Sequence, residues 1–164
     1  MTFLESLVAE WYAYNGHFVQ TNVKFGKRKA GGYEGEMDVL AFHPLRKVMT
    51  HVETSTDADS WEQRRQRFGK KFADAAKYYP ELFQFDYQRV EKVAIVGLGR
   101  TVPTGTSFEH GVVIKTVPEF IFEVTEVLRW RNPAKEAVPE HWPLLRAIQM
   151  SVFWGSKGTT SVPK

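Results

Sequence analysis

Gly35-Glu36-Met37-Asp38-Val39-Leu40-Ala41-Phe42, followed after one turn by Lys47-Val48-Met49-Thr50-His51-Val52-Glu53-Thr54-Ser55, decides the fold. Both runs are short and apolar, and each carries a carboxylate. Side chains alternate faces along a strand, so the spacing puts Glu36, Asp38, Leu40 and Phe42 on one side of the first run and Met49, His51, Glu53 and Ser55 on one side of the second. A hairpin through His43-Pro44-Leu45-Arg46 brings Asp38 and Glu53 together. Two carboxylates converging beside an apolar sheet repel each other unless a proton or a cation intervenes. Mg2+ is the hard cation that oxygen ligands hold in this way, which points to metal-assisted phosphodiester chemistry.

Upstream of these strands, Thr2-Phe3-Leu4-Glu5 fits a capping box, and Leu4, Leu7, Val8 and Trp11 recur at helical spacing. This predicts an amphipathic helix over residues 3–14, ended by Asn15-Gly16. Residues 17–25 alternate as a strand and lead into Gly26-Lys27-Arg28-Lys29-Ala30-Gly31-Gly32, a basic, glycine-rich loop. Downstream, Ser60 and Gln63 form a second capping box that opens a helix over residues 60–79, stopping before Pro80. Trp61, Phe68, Phe72, Ala75, Ala76 and Tyr79 share one stripe of it, which leaves Arg64, Arg65, Arg67, Lys70 and Lys71 to the flanks and outer face. Residues 92–98 are almost continuously apolar, as a central strand covered on both faces would be, and residues 111–115 read as a shorter, peripheral strand. Two helices, over residues 118–130 and 139–153, close a single domain of residues 1–154, each opened by a Pro suited to the first turn. Residues 155–164 are polar and read as a flexible tail.

A chain of 164 residues is long enough for one real core and short for two. The 14% aromatic content, with 5 Trp and 12 Phe, builds that core around rings. A net charge of +3 leans only slightly towards a polyanionic partner, because basic residues act by where they cluster. With 0 Cys, disulfides, thiolate-bound zinc and Cys nucleophiles are excluded, and a cytoplasmic setting is expected. The His residues lack His-x-x-x-His spacing, which speaks against a zinc hydrolase. No apolar run reaches the ~18–20 residues of a membrane span, and no cleavable leader opens the chain. Gly97-Leu98-Gly99 lacks the dinucleotide fingerprint and no phosphate-loop or Gly-x-Ser-x-Gly motif is present, so no nucleotide cofactor is expected.

The order helix, strand, carboxylate strand, carboxylate strand, basic helix, buried strand resembles the PD-(D/E)XK superfamily of restriction-endonuclease-like nucleases. In overall plan it is similar to the archaeal Holliday-junction resolvases, over residues 3–98. The resemblance implies an α/β fold with a mixed central sheet of about five strands flanked by helices, the N-terminal helix first. Carried over by position, it makes Asp38 the first acid, Glu53 the second and Glu5 the acid of the first helix. The family's lysine position is Ser55 here, whose hydroxyl carries no charge with which to position water or offset charge on a phosphate. Members of the superfamily sometimes take that lysine from the following helix. With Phe68 at the centre of the buried stripe, ~100° per residue sets Lys71 about 60° to one side and Lys70 about 160° away. Lys71 can then reach the sheet edge and Lys70 faces water, while Arg64 shares the Lys71 border as a second candidate to touch a phosphate.

Each of these residues also has a plainer reading. The capping box accounts for Glu5 by itself, Glu36 fits a solvated rim, and His51, deeper in the sheet than Glu53, reads as a satisfied core or supporting histidine. Lys27, Arg28 and Lys29 fit either an exposed loop or a phosphate-tracking one, and Arg64, Arg67 and Lys70 either a solvated face or a binding stripe. The leading expectation is an endodeoxyribonuclease dependent on Mg2+, with Mn2+ possible, acting on double-stranded or branched DNA. Its catalytic residues are Glu5, Asp38, Glu53 and Lys71, its metal ligands Asp38 and Glu53, and its backbone contacts Lys27, Arg28, Lys29, Arg64, Arg67 and Lys70. A homodimer through Phe120, Phe122, Trp130, Trp142, Phe153 and Trp154 suits cutting of both strands, though these rings also suit a core. The alternatives are a catalytically inactive nucleic-acid-binding or assembly module on the same fold, and a protein-interaction domain with a basic surface.

Overall fold

The computed structural model describes residues 1–97, 99, 102–103, 106–108 and 111–155. In chain order the elements are α1 (Phe3–Tyr14), β1 (Phe18–Lys27), β2 (Tyr33–His43), β3 (Val48–Ser55), α2 (Trp61–Ala76), α3 (Tyr79–Leu82), β4 (Arg89–Val96), β5 (Val112–Thr116), α4 (Val117–Leu128) and α5 (Pro143–Gly155). The strands form one five-stranded sheet in the order β1-β2-β3-β4-β5. β1, β2 and β3 are antiparallel neighbours joined by turns, while β3, β4 and β5 run parallel. Parallel neighbours need a crossover, and α2 with α3 supplies the one from β3 to β4. The fold is therefore α/β with a mixed sheet, helix first. Among the described residues no helix is long and apolar enough to cross a membrane.

The sheet is covered on both sides. On one face α1, α4 and α5 bury Leu7, Val8, Phe120, Val124 and Leu145 against Val39, Val52 and Ile95. On the other, Phe68 and Phe72 of α2 meet Ala94 and Val96, and Tyr79 and Phe83 meet Leu40 and Met49. Each large ring or aliphatic chain so buried contributes about 2 kcal/mol. Ala94, Ile95 and Val96 are all buried, as a strand covered on both faces requires. Leu98, at the end of the predicted strand, and residues 156–164 of the predicted tail lie outside the described residues.

Three expectations are corrected. The helix predicted over residues 60–79 ends at Ala76, and Pro80 sits in the first turn of the separate α3, where its missing N–H costs nothing. The last helix begins at Pro143 rather than at residue 139, with the Leu145 N–H donating to Glu10 Oε2 at 2.8 Å. The third concerns alternation in β2. Val39 packs on the α1 side and Leu40 on the α2 side, yet Met37, three residues from Leu40, also packs on the α2 side. Facing alternation thus slips by one at Asp38, opposite Asn22, whose φ of 54° lies in the left-handed region that Asn tolerates. Leu40 and Phe42 share a face as expected, Asp38 still reaches Lys71 of α2 on that side, and Glu36 accepts from Asn22 Nδ2 at 2.8 Å.

Candidate functional site

Where β2 leaves β3, two acids and a lysine meet. The β2–β3 ladder ends at Val39↔Val52, so Asp38 and Glu53 flank the point where the two strands part. Glu53 is only 1% exposed, and its place is fixed from the core outward. Phe72 of α2 packs edge-on against the His51 ring at 4.8 Å, and Tyr79 OH lies 2.7 Å from His51 Nδ1. That leaves His51 Nε2 to hold Glu53 Oε1 at 2.8 Å. His51 is thus buried with both ring nitrogens partnered, which fits the core or supporting histidine that the sequence predicts.

Asp38 reaches across the gap. Its Oδ2 accepts from the Thr54 N–H at 2.8 Å and from Thr54 Oγ1 at 3.2 Å. The remaining oxygens, Asp38 Oδ1 and Glu53 Oε2, both accept from Lys71 Nζ, the former at 3.3 Å. Lys71 thus stands on the border of the α2 stripe, reaching the sheet, while Lys70 is exposed and paired with Asp74. Burial, followed by the charge of Glu53, pushes the Asp38 carboxyl up to about 6 against the pull of Lys71 and the Thr54 amide. Burial also works to raise Glu53, but the bond from His51 and the Lys71 ammonium outweigh it and hold the carboxyl below its ordinary range. The two acids in turn raise Lys71 above the usual lysine value despite burial.

A second polar cluster lies beside the first. Asp57 accepts from the Ser55 hydroxyl and from Arg67 Nη2, and Arg67 Nη2 also lies 3.3 Å from Ser55 Oγ. Arg67 Nη1 reaches Asp59 Oδ2 at 2.5 Å. Burial would raise Asp57, yet Ser55, Arg67 and the Asp59 amide together hold it down at about 2. Arg64 is not the groove-facing cation expected. It is 7% exposed, lies against Gly97, and gives Nη2 to the Asp57 carbonyl at 2.7 Å and Nε to Asp57 Oδ1 at 3.3 Å.

Glu5 lies at the same end of the sheet, lining with Thr54, Ser55 and Thr56 a cavity of about 160 Å³. Both its oxygens are engaged by Thr2, through the backbone N–H at 2.9 Å and Oγ1 at 3.0 Å. It therefore belongs to the capping box, and its charge still acts on Asp38. Lys27, Arg28 and Lys29 are exposed at the far end of the β1–β2 hairpin. Asp57, Asp59 and Tyr79 were not singled out by sequence, although a signal existed. Arg64, Arg67 and Lys71 stand at i, i+3 and i+7, one stripe of α2 turned towards the end of β3.

Among the described residues no group of three or more His, Asp or Glu is disposed around a metal position. Asp38 Oδ1 and Glu53 Oε2 are nonetheless a pair of hard oxygens whose shared partner is a lysine with 39% of its side chain exposed. Mg2+ is commonly held by one or two carboxylates, with water and substrate oxygens completing its shell, and this pair fits such an ion. No family model, curated protein or solved structure matches the chain.

Proposed function

We propose that the protein is a metal-dependent endodeoxyribonuclease of the restriction-endonuclease-like, PD-(D/E)XK kind, cutting phosphodiester bonds in double-stranded or branched DNA. The observation that carries this reading is the meeting of Asp38, Glu53 and Lys71 at one point, the lysine coming from α2 where Ser55 lacks a charge. Asp38 and Glu53 would hold Mg2+ or Mn2+, which when bound would polarise the phosphate and lower the pKa of attacking water. His51 fixes the Glu53 carboxylate so that Oε2 alone faces the gap, and Tyr79 fixes His51. The Thr54 amide does the same for Asp38. Lys71, released from the acids, donates to a non-bridging phosphate oxygen and offsets charge as it develops there. Arg67, poised beside Ser55 at 39% side-chain exposure, takes a neighbouring phosphate oxygen. Lys27, Arg28, Lys29 and Lys70 contact the backbone, and Arg64 is a structural residue. The protein works in the cytoplasm as a homodimer, a pairing that serves two strands.

The test is cleavage of supercoiled plasmid and of a branched duplex with Mg2+ or Mn2+. Native protein cuts, Asp38→Ala and Glu53→Ala abolish cutting, and Lys71→Ala lowers it by about 10²-fold or more. One observation favours a second reading. Lys71 already bridges the acid pair, and the Ser55 hydroxyl is engaged by Asp57. On that reading the protein is an inactive nucleic-acid-binding module, and DNA binding unaffected by Mg2+ with no cutting of any substrate selects it.

A further inference from the structure

Past Val39↔Val52 the β3 partner ends, and β1 and β2 continue as a two-stranded arm to the turn at residues 28–32. From Asp38 to Tyr33 β2 runs five residues, which sets the arm tip about 17 Å from the acid pair at about 3.3 Å per residue. A two-stranded ribbon alone is marginal in water. This one is pinned near its outer end, next to the Lys27↔Tyr33 pair. Phe25, 5% exposed, covers Gly35, where a Cβ would stand 2.4 Å from its ring, and packs on Tyr78 at 5.2 Å. Gly26, at φ 64°, leaves room for the Tyr78 hydroxyl, which a Cβ would approach to 2.8 Å. The arm is thereby held to the joint between α2 and α3.

The charge on the arm is unbalanced. Lys24, Lys27, Arg28 and Lys29 are all exposed. Two acids share the arm, Glu36 bonded to Asn22 and Glu34 to Tyr78, so its cations outnumber its acids by two. Lys24 lies over the Tyr33 ring, 5.5 Å from its centroid, so that face offers a cation rather than a platform for stacking a base. Four cations fixed at a set distance from a phosphodiester site match a ligand that is itself stiff over that distance. Duplex DNA is stiff over about 50 nm, whereas a single strand is not.

We propose that the β1–β2 arm is a rigid phosphate clamp for duplex DNA, seated about five base pairs from the phosphate at the acid pair, given a rise of about 3.4 Å per pair. The position rests on reading Asp38 and Glu53 as the phosphodiester site; the clamp itself does not. The first measurement is fluorescence anisotropy of the full chain with a labelled duplex of about 20 base pairs in EDTA across a salt series. Native protein is compared with the triple variant Lys27→Ser, Arg28→Ser, Lys29→Ser and with Lys135→Ser as an exposed control, each checked for folding by circular dichroism. The triple variant loses about 2 to 3 from the slope of log affinity against log salt, and the control keeps the native slope. The second measurement maps the cut nearest a duplex end: native protein stops about five base pairs short and the triple variant cuts closer. The proposal is overturned by an unchanged slope in the triple variant, by an equal loss on a single strand of the same length, or by native protein that binds no duplex. Cutting with an unchanged slope removes the clamp and leaves the acid pair. The expected slope change without cutting of any substrate keeps the clamp and removes the acid-pair reading.

Discussion

Asp38 is buried beside a second carboxylate, and its carboxyl is raised to about 6, so at neutral pH its ionised form is held in the fold against both burial and Glu53. In the unfolded chain an aspartate titrates near about 3.9. Between those values the folded state binds the extra proton, so stability falls as pH rises through that window and stays lower above it. Asp38→Asn keeps an acceptor for Thr54 and removes the charge. Its melting temperature should match native protein near pH 4 and exceed it at pH 8, by the equivalent of about 2 kcal/mol, while cutting is lost. Thermal unfolding over a pH series checks this, and millimolar Mg2+ should raise the melting temperature of native protein but not of the variant. Asp57 carries the opposite sign. Its carboxyl is held down at about 2, so its contribution is present above the unfolded value and disappears as pH falls through the folded one. Asp57→Ala leaves the buried Arg64 guanidinium without its acid, and urea unfolding should show a loss of about 3 kcal/mol.

At the scale of elements, α2 does most to assemble the site, because one helix supplies Lys71, Arg67, Arg64 and the Phe72 ring that backs His51. Ser60 caps it, accepting from the Gln63 N–H at 3.3 Å. Ser60→Ala should therefore cost about 1 kcal/mol in urea unfolding without abolishing cutting. Phe72→Ala should cost about 3 kcal/mol and also lower cutting, since His51 loses its backing. What the sequence disclosed about these elements follows from locality. The starts of α1 and α2 came from capping pairs three residues apart, those of the last two helices from prolines, and the reach of Lys71 from turning angle along one helix. The slip at Asp38 was hidden because it depends on Asn22, sixteen positions away, adopting a left-handed conformation. Arg64 was misplaced for a similar reason: its burial needs the absent side chain of Gly97, where a Cβ would lie 3.2 Å from Nη1, and the acid of Asp57. Pro80 misled because proline both ends helices and begins them, and only the tertiary position of Tyr79 decides between the two.

Over the whole molecule, the six aromatic residues assigned by sequence to a dimer surface differ in burial. Phe120 and Phe153 are buried and Trp142 is half-buried against the core, whereas Phe122, Trp130 and Trp154 are 64%, 79% and 56% exposed. Those outward rings keep the homodimer a specific proposal. Sedimentation velocity should find a dimer that Phe122→Ser together with Trp130→Ser converts to monomer, with circular dichroism unchanged. The break in alternation at Asn22 and Asp38 has a consequence for how such a molecule could vary. It divides the hairpin into an inner half locked to the sheet and an outer half whose length no part of the acid pair senses. Two residues added to each outer strand preserve which side chains face which way and lengthen the arm by about 7 Å. That equals about two base-pair steps. A set of such insertions would turn the hairpin into a graduated ruler, with reach adjusted independently of chemistry.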